Sequence, residues 1–257
     1  ALDRALSLQP GLKGATEVAV HIQIKKGQWS EVEKTLARGE GLDTSTDGDL
    51  IRVYCGFLLR MGRIQEAIPL LERVRSLLPF SSSAARALAY AYVNQGRFEE
   101  GFAEAERSLE LDGFEIWDAE NGLHLALDVD DRELLLKWLA RAEQYIPQAR
   151  HLHIAMREHL DDREAALAWL WNAYRQSDKF DYQVAFWAAW HGDNELALEA
   201  LHRAPAPMSF WQRVMAGVRQ EPGFRELVSA RGLEEYYREY GWNDFCRPLG
   251  EDDFVCE

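Results

Sequence analysis

The chain is poor in basic residues. Its 29 Lys and Arg stand against 43 Asp and Glu, a formal charge of -14 that repels a phosphate backbone and gives no attraction to an anionic lipid surface. No nucleic-acid partner is expected. Apolar runs never approach the roughly 20 residues needed to cross a bilayer, and the amino end lacks the basic-then-apolar pattern of a signal peptide. Catalytic signatures are missing as well: no Gly-rich phosphate loop, no Cys-x-x-Cys pair, no Gly-x-Ser-x-Gly elbow and no His-Glu-x-x-His. His151, His153 and His159, with Asp161 and Asp162, form the one cluster with metal-binding residue types. Their spacing does not give two ligands on one helical face, so no metal and no cofactor are expected.

What is present is a globular composition, 47% hydrophobic and 28% charged, sufficient for one or two domains with a sizeable core. Residues 1–10 read as the last turns of an amphipathic helix, with Leu2, Ala5 and Leu8 on one face and Pro10 as its stop. An unpartnered stripe so close to the first residue predicts a fragment of a longer protein. A recurring turn follows. Gly27-Gln28-Trp29, Gly62-Arg63-Ile64 and Gly96-Arg97-Phe98 place their glycines 35 and then 34 residues apart, and steps of 34, 31 and 31 reach Asp130, Asp161 and Gly192. Five residues after each stands Val32, Ala67, Gly101, Leu135, Ala166 or Ala197, mostly small, which lets two helices approach closely. Leu36, Leu71, Ala105, Leu139, Leu170 and Leu201 come four later, and Gly39, Val74, Ser108, Ala142, Ala173 and Ala204 three beyond those. This is one face of a helix. Pro79 and Pro147 end two of the second helices, with Thr44, Gly113 and Asp178 at equivalent places in others.

The pattern resembles the tetratricopeptide repeat, a helix-turn-helix unit of about 34 residues with a W-x2-L-G-x2-Y, A-x3-F, P signature. Ile51, Tyr54, Cys55, Leu58, Ala67, Leu71 and Pro79 carry the match in 48–81, and Ala85, Leu88, Ala89, Tyr92, Gly101 and Ala105 carry it in 82–115. Units 13–47 and 116–149 match less fully; 150–177 and 178–204 are short and degenerate, with His153 and Arg157 where apolar residues are expected. The resemblance implies an all-α fold: a right-handed superhelix of about six units over 11–204, with a helical carboxyl-terminal cap.

Pro205 and Pro207 break the period. In 205–257 helices are expected over 210–218, from Pro222 to Gly232, and over 233–240, followed by an irregular tail. Phe210, Val214, Phe224, Leu227, Val228, Leu233, Tyr236 and Tyr237 would cover the last repeat. The run Pro222, Phe224, Leu227, Gly232-Leu233, Tyr237, Gly241-Trp242 and Asp244-Phe245-Cys246 is similar to the ending of bacterial tetratricopeptide proteins fused to winged-helix or nucleotide-cyclase modules. That similarity implies a sensory or regulatory segment whose output domain lies elsewhere. Cys55 reads as a buried apolar side chain. For Cys246 and Cys256 the alternatives stay open: free thiols suit a cytoplasmic chain, whereas a bridge would suit the periplasm.

In this family the first helix of each unit faces the concave side. The resemblance places Glu17, His21, Lys25, Arg52, Arg60, Arg86, Tyr90, Asn94, Trp117, Glu120 and His124 there. Arg52, Arg60 and Arg86 would form a cationic strip for an acidic peptide. The aromatic residues of the later units, Trp169, Trp171, Tyr174, Phe186, Trp187 and Trp190, read as packing more readily than as a ligand lining. The expectation is a non-enzymatic module that binds a protein or peptide in its trough. The regulatory reading is the alternative, with a site for hydrolysis or group transfer on the degenerate units as a third.

Overall fold

A computed structural model describes residues 13–37, 47–112, 116–204, 210–250 and 253–257, with the backbone alone at 13–15, 112, 116 and 117. The expectations for residues 1–10, Gly39, Thr44, Gly113, Pro205 and Pro207 lie outside the described residues.

Among the described residues the chain is mostly helical. Six hairpins follow one another: α1 (Lys13–Lys25) with α2 (Trp29–Ala37), α3 (Gly48–Arg60) with α4 (Ile64–Leu77), α5 (Ser82–Asn94) with α6 (Phe98–Asp112), α7 (Ile116–Leu127) with α8 (Arg132–Tyr145), α9 (Arg150–Glu158) with α10 (Arg163–Gln176), and α11 (Asp181–Trp190) with α12 (Asn194–Arg203). Local chemistry sets both ends of these helices. Gly27, Gly62, Gly96 and Gly192 take φ of 65–75°, the left-handed turn that closes a helix and favours a residue without Cβ. The backbone returns through Arg63 N to Leu58 O at 2.9 Å, Arg97 N to Tyr92 O at 2.9 Å and Asp193 N to Ala188 O at 2.8 Å. Asp47, Ser81, Asp131, Asp162 and Asp193 accept from the backbone N–H three residues on, satisfying a donor that the first turn leaves without a partner.

Close crossing depends on the small residues. A Cβ on Gly101 would lie 2.6 Å from the Val93 side chain, and one on Gly122 would lie 2.1 Å from the Trp138 ring. α1 packs on α2, successive helices pack on each other from α3 onward, and α1, α3, α5 and α7 also touch one another in turn. Among the described residues no second helix makes comparable contact with the next second helix. Across the short fifth hairpin, α11 reaches α7 directly.

After the hairpins come a 3-10 turn (Arg213–Met215), α13 (Ala216–Arg219), α14 (Pro222–Ala230) and α15 (Leu233–Tyr240). The tail departs from the irregular coil expected of it. Cys246–Leu249 (β1) and Asp253–Cys256 (β2) pair antiparallel, with Cys246 opposite Cys256, and these two cysteines are joined by a disulfide. Composition alone gave little strand signal, because two four-residue strands, one of them carrying Pro248, have no room for an alternating pattern. Cys55 is reduced and buried.

The cap also covers more than the last hairpin. Arg231 donates to the carbonyls of Leu201, His202 and Ala204, which ties it to α12 as expected. The segment then returns to the beginning of the stack: Trp29 Nε1 donates to Arg231 O at 2.6 Å, Tyr236 Oη to Glu33 Oε2 at 2.7 Å, Tyr237 Oη to Met61 O at 2.9 Å and Trp211 Nε1 to Arg60 O at 2.9 Å. Val214 N donates to Asp128 Oδ1 at 2.7 Å. One segment thus bridges the turns of the first, second and fourth hairpins to the sixth, and a single hydrophobic core runs through all of them.

Candidate functional site

The first-helix positions named above fall into three groups. On α1, Glu17 accepts from Arg52, while His21 and Lys25 are exposed and His21 Nδ1 lies 2.8 Å from the Glu17 carbonyl. The second group is held in ion pairs. Arg52 meets Glu17 at 3.2 Å and Asp49 at 3.8 Å, and Arg86 meets the buried Asp118 at 2.9 Å. Ser108 Oγ donates to the same Asp118 oxygen. Two of the three arginines of the supposed strip are therefore neutralised by acids of neighbouring hairpins. The Trp117 side chain lies outside the described residues.

The third group comes together. Arg60 closes α3, Tyr90 and Asn94 lie on the last turns of α5, Glu120 and His124 share a face of α7, and Tyr182, Gln183 and Phe186 are supplied by α11. Gln183 Nε2 donates to Glu120 Oε1. The His124 ring stacks on Phe186 at 3.9 Å and meets Tyr182 edge-on at 5.0 Å. Asn94 Nδ2 donates to the Tyr90 carbonyl at 3.0 Å. Arg60, Asn94, Glu120, Tyr182 and Gln183 each keep some exposure, whereas Tyr90 and His124 are buried. The group thus gathers residues from four first helices. Near Tyr90 the Arg219 guanidinium donates to the carbonyls of Phe210, Gln212 and Glu257.

The electrostatics of this cluster are unbalanced. The guanidinium of Arg60 is pushed down by burial, the groups that oppose this are the hydroxyls of Tyr182 and Tyr90, and its Nε has no hydrogen-bond partner. Burial raises the Glu120 carboxyl, against which stands the bond from Gln183. Tyr182 senses both: burial first and then the Glu120 charge raise its hydroxyl, and Arg60 lowers it. Asn94 Oδ1 and Gln183 Oε1 are also buried without partners. Buried polar atoms are nearly always satisfied in folded proteins, so several in one cluster mark a place where water or a ligand completes the bonding.

Two further groups flank the cluster. Burial pushes the Asp128 carboxyl up to about 7, against its bond from Val214 and the charges of Arg213 and Arg219. It borders an outward cleft of about 290 Å³ with Asp130, Asp131, Leu160 and Trp190. His153 is wholly buried with neither ring nitrogen bonded, and burial, then the charge of His151, pushes it down to about 4. His124 is pushed to about 3, by burial first and His153 second. Among the described residues no group of three or more His, Cys, Asp or Glu could hold a metal ion, and no helix is long and apolar enough to cross a membrane.

Sequence reasoning reached Arg60, Tyr90, Asn94, Glu120 and His124 through their repeat positions. It missed Tyr182, Gln183 and Arg219. The sixth unit is too degenerate to phase, although the aromatic crowding around Phe186 was a visible signal. No protein-family model matches the chain, and no curated protein matches it.

Proposed function

We propose that the chain is a tetratricopeptide-type module, a right-handed superhelix that recognises a ligand or partner on its inner face and performs no catalysis. The observation that carries this reading is the convergence, from the second, third, fourth and sixth hairpins, of polar groups that the fold leaves without partners. Arg60 and Glu120 hold opposite charges there with no counter-ion among the described residues, a costly arrangement inside a protein and a useful one at a recognition surface. An extended acidic peptide along Arg52, Arg60 and Arg86 is less well supported, since Arg52 and Arg86 are already paired.

A regulatory role within a signalling protein is a second reading. The residues that carry the similarity of the carboxyl-terminal segment, Tyr237 and Asp244 among them, clasp the second hairpin: Asp244 N donates to Gly62 O at 3.1 Å and Asp244 Oδ2 accepts from Gln65 N at 2.8 Å. Such a clasp would couple occupancy of the inner face to the position of the cap.

The test is differential capture. Wild type and an Arg60→Glu variant of matched unfolding temperature are immobilised, and bound species are compared by mass spectrometry. A species held by wild type and released by the variant supports the reading. Identical profiles would overturn it.

A further inference from the structure

The turns of the fourth, fifth and sixth hairpins are tied into one edge. Arg132, at the start of α8, holds Asp161 of the fifth turn through two bonds of 2.6 Å, and Arg163, at the start of α10, donates to the carbonyls of His191 and Gly192 in the sixth. A cleft of about 290 Å³ opens across all three turns, lined by Asp128, Asp130 and Asp131 from the fourth, Leu160 from the fifth and Trp190 from the sixth. Clefts for whole small molecules start at about 300 Å³, so this one suits a single long side chain.

The chemistry of its walls selects a cation. Asp128 Oδ1 accepts from Val214 N, but Oδ2 is enclosed and has no hydrogen-bond partner. Arg213 and Arg219 compensate the charge only in part, since burial still lifts the carboxyl to about 7. A buried acceptor left over in the wall of a cleft marks where an incoming donor completes the bonding. The surrounding edge is acidic as well. Asp130, Asp131, Glu133, Asp162, Glu164 and Glu195 are exposed along it, while the two arginines of these turns are already engaged as described. Such an excess of one sign attracts a basic partner and repels an acidic one.

We infer that this edge docks a basic segment of a partner protein, which seats one arginine in the cleft with its guanidinium towards Asp128 and Asp130 and its stem along Leu160 and Trp190. A planar, weakly hydrated guanidinium is favoured beside an indole, and its aliphatic stem covers apolar surface. The carboxylates spread over three turns supply counter-ions to the neighbouring basic residues of such a segment, which a lone amine would leave unused. The site shares no residue with the cluster around Arg60 and Glu120, so either can fail without the other.

The experiment titrates the whole chain, by fluorescence polarisation, with a labelled and amidated Lys-Ala-Arg-Ala-Lys peptide, with the same peptide carrying citrulline for arginine, and with agmatine as a competitor that has the guanidinium but no peptide. The arginine peptide is expected to bind about tenfold or more tightly than the citrulline peptide, which keeps the shape and loses the charge. Asp128→Asn keeps an acceptor for Val214 N. It should lose about tenfold in affinity and unfold no earlier than wild type, because it removes a buried charge. Glu235→Gln, the same change of charge at an exposed position of the cap, should leave affinity within about twofold. The comparison of the two peptides on wild type stands by itself if Asp128→Asn fails to fold. No binding at millimolar peptide, equal affinity for the two peptides, unchanged affinity in Asp128→Asn, or an equal loss in both variants overturns the inference. Agmatine competing at the peptide's own affinity would overturn the protein partner in favour of a small cation.

Discussion

His153 makes the stability of the protein depend on acid in a way that one substitution isolates. Its ring is fully buried on α9 with no hydrogen-bond partner, and it is pushed from 6.5 to about 4. The folded state therefore binds fewer protons than the unfolded chain between those values, so stability is intact above pH 6.5 and is lost as the pH falls towards 4. The gap corresponds to about 3 kcal/mol when complete, and most of it is realised by pH 4.5. His153→Leu, of similar volume, removes this term. It also relieves two unsatisfied nitrogens, which is worth about 1 kcal/mol at neutral pH. Urea unfolding at pH 7 and pH 4.5 measures both effects. Wild type should lose about 2–3 kcal/mol more than the variant on acidification, a difference slightly reduced because removing the charge of His153 also eases His124. Equal losses in the two proteins would refute the burial of a neutral imidazole.

Gly62 and Gly96 both have φ of 75°, but a Cβ on Gly62 would lie 2.9 Å from the Trp211 ring while one on Gly96 meets nothing within 4 Å. Gly96→Ala should cost about 1 kcal/mol in thermal unfolding, from backbone strain alone, and Gly62→Ala about 2–4 kcal/mol, because it also displaces the indole; equal costs would mean that the cap does not press on the second hairpin. Reduction of the Cys246–Cys256 disulfide, whose members lie ten positions apart, should cost up to about 3 kcal/mol by loop entropy and increase amide exchange in the β-hairpin before the hairpins of the stack. Uniform loss of protection would instead show the tail to be integral to the core. Trp29→Phe keeps the ring buried but removes the donor to Arg231 O. It should cost about 1–2 kcal/mol and raise exchange in α15 and α2 together.

Much of the fold was legible because its rules are local. A glycine every 34 or 35 residues, followed by a small residue and then an i, i+4, i+7 stripe, reports a helical turn and a close crossing wherever it occurs, and Gly27, Gly62, Gly96 and Gly192 are the left-handed turns that this pattern requires. The return of the cap was not legible. A repeat describes each unit's contact with its neighbour, whereas Trp29 with Arg231, or Tyr236 with Glu33, joins residues about two hundred positions apart whose types suit ordinary burial or exposure equally well. The cluster around Arg60 and Glu120 was half legible for the same reason. Repeat phase pointed to Arg60, Glu120 and His124, but the ion pairs that neutralise Arg52 and Arg86 depend on which acid of the next hairpin lies opposite. The degenerate sixth unit hid Tyr182 and Gln183. His153 read as a flaw in an apolar pattern and turned out to be a core residue.

Whether that cluster is kept for a ligand rather than for stability is tested most directly by the unfolding free energies of Arg60→Met and Glu120→Gln, measured without added ligand. Each substitution removes a charge that the fold leaves uncompensated, so each variant should be as stable as wild type or more so, and the pair together should gain about 1 kcal/mol. A loss of about 1 kcal/mol or more in either single variant would contradict the account and make these two side chains part of the scaffold.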